Sequence, residues 1–308
     1  MHIQENIPLA PYTVFKVGGP ARYFASVKTR DEAGEAFAWA REKNAPVFVL
    51  GLGSNILVSD KGFEGLAVKM ELRGIKELRG NRVRAEAGVT MAELVAFTLG
   101  RGLTGFEWGI GVPGTVGGSV RGNAGCFGRE MKDMIDSVQV SNVNVEHWKF
   151  DIFPVSACEF SYRESIFKKR PELIVLSATL KLERGDVNEA RKRLAEYTKR
   201  RIESQDIGAK TAGSVFKNVR WEGKMPEGMK FAGSGPKENA AVGYLLESAG
   251  LKGFSIGGAK FSEKHANFIL NTGNATAEDI VQLIALAKER VFEQFGIRLE
   301  EEIQYVGF

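Results

Sequence analysis

Residues 105–128 read GFEWGIGVPGTVGGSVRGNAGCFG, and their glycine density restricts what this part of the chain can become. A helix of that composition would lose too much backbone entropy, and a strand would have few side chains to pack. Such a stretch persists where a backbone must come close to something. The usual occupant is a phosphate, cradled by main-chain N–H groups with no side chain in the way. The interspersed Ile110, Val112, Val116 and Val120 argue against a disordered linker. Gly109, Gly111 and Gly114 formally spell G-x-G-x-x-G, but Pro113 lies inside the pattern and more glycines follow. The dinucleotide fingerprint needs a strand before it and a helix opening on it, so a Rossmann site is rejected here. A second glycine-rich turn, Gly51-Leu52-Gly53-Ser54-Asn55, sits between the apolar runs 47–50 and 56–58. Ser54 and Asn55 there suit a phosphate, and an ordinary hairpin turn reads the same.

Periodicity places the remaining elements. Two short β-like runs within 13–27 are separated by a Gly18-Gly19-Pro20 turn. Thr29 and Glu32 form a capping box before Ala33, Ala36, Phe37 and Ala40, which predicts a helix stopping near Asn44. Short strands are expected within 65–87 and a helix over 90–100. Strands are expected at 135–145, 147–153 and 173–182, then a basic helix capped by Asp186 and Glu189, with a solvated cationic face. Residues 239–250 read as a helix, 253–261 as turn-like, and 265–271 as a strand. A long amphipathic helix capped by Thr276 ends at Gly296, and a strand covers 299–306.

Length allows more than one domain, and apolar content of 44% with 26% charged residues is ordinary for a soluble chain. A net charge of +4 is too small to indicate nucleic-acid binding. Cys126 and Cys158 make no disulfide framework, which fits a reducing compartment. The start, MHIQENIPLAPYTVF, lacks a basic region followed by an apolar core, and no apolar run approaches membrane-spanning length. A cytoplasmic protein is expected, with no membrane partner. The three histidines are scattered, so no metal site is expected, and His265 reads as a structural hydrogen-bonding residue.

The segments FKVGGPARYF, VLGLGSNILVSD, GVPGTVGGSVRGNAGCFG, CEFSYRES, AGSVFKN, AAVGYLLESAGLKG, HANFILNTGNATAEDI and LEEEI follow in this order across nearly the whole chain. Together they resemble the UDP-N-acetylenolpyruvoylglucosamine reductase family, in its class without the extra tyrosine loop. The resemblance implies an α+β protein: a p-cresol-methylhydroxylase-type FAD-binding fold of two subdomains, 1–68 and 69–203, then a substrate-binding domain, 204–308, carrying a C-terminal catalytic strand. It implies non-covalent FAD reduced by NADPH, and UDP-N-acetylglucosamine enolpyruvate as the substrate converted to UDP-N-acetylmuramate. A monomer is expected.

The resemblance also assigns residues. Arg163 matches the carboxylate-binding arginine, Ser214 the proton donor and Glu302 the catalytic glutamate that polarises the carboxylate. Tyr162 and Asn218 match positions near the substrate, and Lys217 is a candidate for its diphosphate. The flavin falls to Gly51, Gly53, Ser54, Asn55, Gly111, Gly114, Thr115, Gly117, Gly118 and Gly125. These residue types suit the chemistry. Hydride addition to an enolpyruvyl group builds negative charge toward its carboxylate, which calls for a cation there and a proton for the neighbouring carbon. A guanidinium fork matches a planar carboxylate and stays charged. Out of this context Arg163 reads as a surface partner of Glu164 or Glu159, Ser214 as a turn residue and Glu302 as part of a solvated strand edge. Trp108, Arg121-Gly122 and the absence of proline before the AGSVFKN motif depart from the family pattern. Two other readings stay open: a flavin-dependent oxidase of the same wide fold, and a flavin- or nucleotide-sugar-binding module without turnover.

Overall fold

Capping boxes start three helices from purely local bonds. Thr29 with Glu32, Thr90 with Glu93 and Thr276 with Asp279 each exchange side-chain and main-chain bonds across the first turn. They open the helices Arg30–Glu42, Met91–Gly100 and Ala277–Phe295. The computed structural model describes residues 1–145, 148–221, 229 and 239–308. Its chain divides into two compact units. The first comprises Met1–Glu5, Tyr23–Gly51 and Gly65–Arg200; the second comprises Asn6–Arg22, Leu52–Glu64 and Arg201–Phe308.

The first unit holds two cores. In one, Ala33, Ala36, Phe37 and Ala40 of Arg30–Glu42 bury against Val27, Leu66, Val68 and Leu176. The associated sheet has the order Gln4–Pro8, Pro20–Val27, Phe63–Met70, Val47–Leu50, and its last pair is parallel. The second core lies on an antiparallel sheet ordered Asp151–Pro154, Ile135–Asn142, Leu173–Lys181, Arg82–Glu86, Ile75–Leu78. Leu173–Lys181 is buried on both faces over nearly its whole length, so its apolar run carries little alternation. Part of its cover is the short helix Val116–Arg121, formed from the glycine stretch.

In the second unit, Ile280, Leu283, Ile284, Ala287 and Val291 of Ala277–Phe295 pack with Phe15, Val17, Leu57, Val215 and Phe216. Gly296, at φ +68°, ends that helix in the left-handed conformation that glycine adopts without a Cβ clash. The hairpin Ser255–Ile256 with Ala259–Phe261 continues into Ile269–Asn271.

Several expectations need correction. Residues 13–17 form no strand: the Thr13 hydroxyl donates to the Val17 carbonyl (3.0 Å) and accepts from its N–H (3.3 Å), a local bond set that competes with strand pairing. The turn at 51–55 is not a hairpin. Val47–Leu50 pairs in parallel with Leu66–Lys69 in the first unit, whereas Ile56–Val58 pairs in parallel with Gln304–Val306 in the second. The expected helix over 239–250 shortens to Val242–Ser248 behind a two-residue strand. The strands over 265–271 and 299–306 shrink to Ile269–Asn271 and Gln304–Val306, with isolated bridges upstream. In place of 147–153 the strand is Asp151–Pro154, and His147 lies outside the described residues. The cationic face of Val187–Ser204 is only partly solvated, because Arg193 pairs at 3.0 Å with the buried Glu107.

Candidate functional site

In the first unit the glycine stretch is closed largely upon the protein itself. The main-chain N–H groups of Val116 and Gly117 donate to the carbonyls of Val89 (2.8 Å) and Ala87 (2.9 Å). That of Gly118 donates to the capping hydroxyl of Thr115 at 3.4 Å. A Cβ on Gly117 would lie 2.9 Å from Cβ of Ala87, and one on Gly51 2.7 Å from Oγ1 of Thr115. Gly114 offers its carbonyl to Met91 (3.1 Å), and Gly111 takes φ +68°. At Gly118 a Cβ would meet only Oγ1 of Thr115, at 3.7 Å, so this face of the short helix stays bare.

The SYRES segment is fastened to the end of that helix. Ser161 and Glu164 exchange main-chain bonds of 3.1 Å each, leaving Tyr162 and Arg163 at the tip of a tight turn. Arg163 takes φ +58°, an uncommon conformation for a side chain of its size. Its Nη2 donates to the Gly125 carbonyl at 2.9 Å, and its guanidinium lies 5.0 Å from the centre of the Tyr162 ring. The Ser165 hydroxyl donates to the Arg121 carbonyl at 2.6 Å. The amide of Asn123 donates to the Ser161 carbonyl at 2.8 Å. Burial works against the charge of the Arg121 guanidinium, and nearby Glu164 opposes that shift. Trp108 is buried edge-on to Phe106, and its carbonyl accepts from the Cys126 thiol at 3.1 Å, so Cys126 is a packing residue. Burial pushes the Cys158 thiol up to about 11, which keeps it inert.

The second unit gathers three sequence-distant segments around Ser214. Ser214 bridges to Phe268, and the Val215 N–H donates to the Asn267 carbonyl at 2.8 Å. On the other side, the Glu302 N–H donates to the Val215 carbonyl at 2.7 Å and Phe216 bridges to Glu301. Asn267 is buried; its side chain accepts from the Phe216 N–H (3.0 Å) and donates to the Phe216 carbonyl (2.8 Å). His265 supports Asn267 through an Nδ1 acceptor contact of 3.3 Å, and burial lowers its pKa. The segments that carry Ser214 and Glu302 are thereby joined side by side through Val215. Lys217 pairs with Glu300, and the Asn218 side chain accepts from the Val242 N–H at 3.2 Å. Ile303 is buried beside the half-buried Glu302, while Tyr305 is exposed and stacks edge-on with Phe308.

Asn55 ties the second glycine turn to this cluster: its amide donates to the Glu302 carbonyl (3.1 Å) and its carbonyl accepts from the Gln304 N–H (3.0 Å). Gly53 takes φ +64°, and a Cβ there would lie 2.3 Å from the Tyr12 carbonyl oxygen. Among the described residues, the N–H groups of Gly53 and Asn55 donate to no protein acceptor. Main-chain donors left over in a tight turn fit a diphosphate-bearing cofactor such as FAD. Asn123 and Asn267 escape sequence reading, because asparagine is an ordinary loop residue; their signal is a buried side-chain amide bonded to main-chain groups of a distant segment.

Two family models match the chain: an FAD binding domain over residues 21–149, and the UDP-N-acetylenolpyruvoylglucosamine reductase C-terminal domain over 205–306. A UDP-N-acetylenolpyruvoylglucosamine reductase of Caldanaerobacter subterraneus subsp. tengcongensis is 42% identical, covering 98% of this chain and 93% of its own. The chain belongs to the UDP-N-acetylenolpyruvoylglucosamine reductase family. A second member, from a Synechococcus strain, is 40% identical over 99% of this chain and 91% of its own. The crystal structure of the Thermus caldophilus reductase superposes with a TM-score of 0.78 at 32% identity, over 99% of both chains. The fold is accordingly the family's: an α+β, p-cresol-methylhydroxylase-type FAD-binding portion followed by the reductase C-terminal domain. Among the described residues no helix is long and apolar enough to cross a membrane, and no group of three or more His, Cys, Asp or Glu side chains is placed to hold a metal ion.

Proposed function

We propose that this protein reduces UDP-N-acetylglucosamine enolpyruvate to UDP-N-acetylmuramate, using FAD and NADPH, as a step in peptidoglycan precursor synthesis. Bound FAD supplies hydride transfer, from NADPH to the methylene carbon of the enolpyruvyl group. The chain's own residues manage charge and protons. Arg163 neutralises the substrate carboxylate as charge builds there, and Ser214 gives a proton to the adjacent carbon. Glu302 polarises the carboxylate. Tyr162, Asn218 and Lys217 orient the substrate, with Lys217 exchanging Glu300 for the diphosphate. For the cofactor, Gly53, Ser54 and Asn55 provide donors, while Gly111, Gly114, Thr115, Gly117, Gly118 and Gly125, with Gly51, shape a close-fitting wall. The functional division follows 1–68, 69–203 and 204–308. The working form is a cytoplasmic monomer that binds neither nucleic acid nor membrane.

The observation that carries this reading is the 2.7 Å bond from the Glu302 N–H to the carbonyl of Val215, the residue that follows Ser214. The test is spectroscopic. Purified protein should be yellow, release its flavin on acid precipitation, bleach anaerobically with NADPH, and recolour on adding the enolpyruvyl substrate. Recolouring by oxygen but not by that substrate would point to an oxidase and overturn the reading.

A further inference from the structure

Three residues at the end of the glycine stretch grip the SYRES turn in alternation. The carbonyls of Arg121 and Gly125 accept from the Ser165 hydroxyl and from Arg163 Nη2, at 2.6 and 2.9 Å. Between them Asn123, fully buried and at φ +42°, donates to the Ser161 carbonyl at 2.8 Å. The same amide nitrogen donates to Glu130 Oε2 at 3.0 Å, and the amide oxygen accepts from the Lys132 N–H at 3.0 Å. One side chain thus joins three segments with both of its donors engaged. Its contact with Ser161 matters most, because Ser161 and Glu164 close the turn that carries Arg163 at its tip. A left-handed arginine is disfavoured by the clash of its Cβ with the main chain, and persists only where its surroundings over-determine it. The Ser161 carbonyl, held from both sides, is one of those determinants.

We propose that Asn123 is the positioning residue for Arg163: it locks the 161–165 turn onto the glycine stretch, so that the guanidinium meets the substrate carboxylate in one orientation. The inference rests on the carboxylate-binding role given to Arg163 above. Asn123→Gly tests it, because glycine keeps the positive φ while removing the side chain and its bonds to Ser161, Glu130 and Lys132. Flavin content and the rate of flavin reduction by NADPH should stay within about twofold of wild type, while KM for the enolpyruvyl substrate rises about tenfold or more. In an Arg163→Lys background the same change should add less than about twofold, since the two residues act as a unit. Full additivity in that background, or flavin loss in parallel with the KM effect, overturns the proposal in favour of a general structural role. If Asn123→Gly does not fold, Ser165→Ala removes a neighbouring grip and should give the same KM pattern; an unchanged KM there overturns the proposal too. A wild-type enzyme that binds FAD but leaves the enolpyruvyl substrate unreduced overturns the functional reading itself, and is told apart by that control.

Discussion

Arg163 owes its position mainly to side chains, whereas Ser214 and Glu302 owe theirs to the main chain. Around Arg163, three bonds reach from SYRES and Asn123 to carbonyl oxygens, and each has a side-chain donor. Around Ser214, the bonds that join 214–216 to 267–268 and 301–302 are chiefly ladder-like N–H to carbonyl contacts. A site built on side chains is sensitive to single substitutions nearby. A site built on ladders tolerates them, provided the few side chains that complete the ladder, chiefly Asn267, are kept.

The sharpest test of this contrast is Ser214→Ala. The main chain holds position 214, so the variant should fold normally and accept hydride from NADPH at a near-normal rate. Its reduction of the enolpyruvyl substrate should fall by about a hundred- to ten-thousandfold, the usual cost of a lost positioned acid. Stopped-flow measurement of both half-reactions decides it, and equal slowing of both would make Ser214 structural. Arg163→Lys follows, with a loss on the order of a hundred- to a thousandfold confined to the substrate half-reaction, because an ammonium cannot reproduce the fork. Asn267→Ala should instead act on stability. It strands the Phe216 N–H and carbonyl in the core, at a cost of about 2–4 kcal/mol measurable by denaturant titration. A loss under ~0.5 kcal/mol would mean that the ladder does not need it.

The glycines offer a smaller contrast. Gly117→Ala presses a methyl group into Ala87 and should destabilise the apoprotein by about 1–3 kcal/mol. Gly118→Ala meets only Thr115 and should raise apoprotein stability slightly, by under ~1 kcal/mol, while weakening FAD binding. Thermal melts with and without FAD separate the two. If both variants lowered the apoprotein melt equally, the bare face at Gly118 would be no more open than Gly117. Last comes pH. Burial holds the His265 ring below its ordinary 6.5, with Asp206 the charged group pulling the other way. The folded state therefore resists protonation of this ring. Its contribution is complete above pH 6.5 and is lost as pH falls below that value. Melting temperature should drop on that side in wild type and less in His265→Phe; parallel profiles would show that the ring does not contribute.

Much of the helical fold was legible, because Thr29, Thr90 and Thr276 announce helix starts through bonds that close within one turn. The strands around the site were not. Residues 265–268 and 299–303 carry apolar residues at strand-like spacing, but their partners lie in other segments and the pairing is broken by Asn267 and the bridges at Ser214 and Phe216. The glycine stretch was legible as a close approach, but not in what approaches it. A missing Cβ at Gly117 is required by Ala87, and only the packing around the helix separates that need from the bare face at Gly118. The residues proposed for chemistry were reachable through eight ordered motifs, whereas Asn123 shows itself through its bonds to Glu130, to Lys132 and to a carbonyl 38 positions away.

The parallel pairing of Gln304–Val306 with Ile56–Val58 has a consequence for how the molecule is made. On the ribosome, Ile56–Val58 emerges early but must wait for nearly the whole chain before its partner exists, and closing so long a loop is slow. Asn55 waits with it, since its bonds go to Glu302 and Gln304. The second unit is therefore completed only after synthesis reaches Val306, while the helices and antiparallel pairs of residues 65–200 can already have formed.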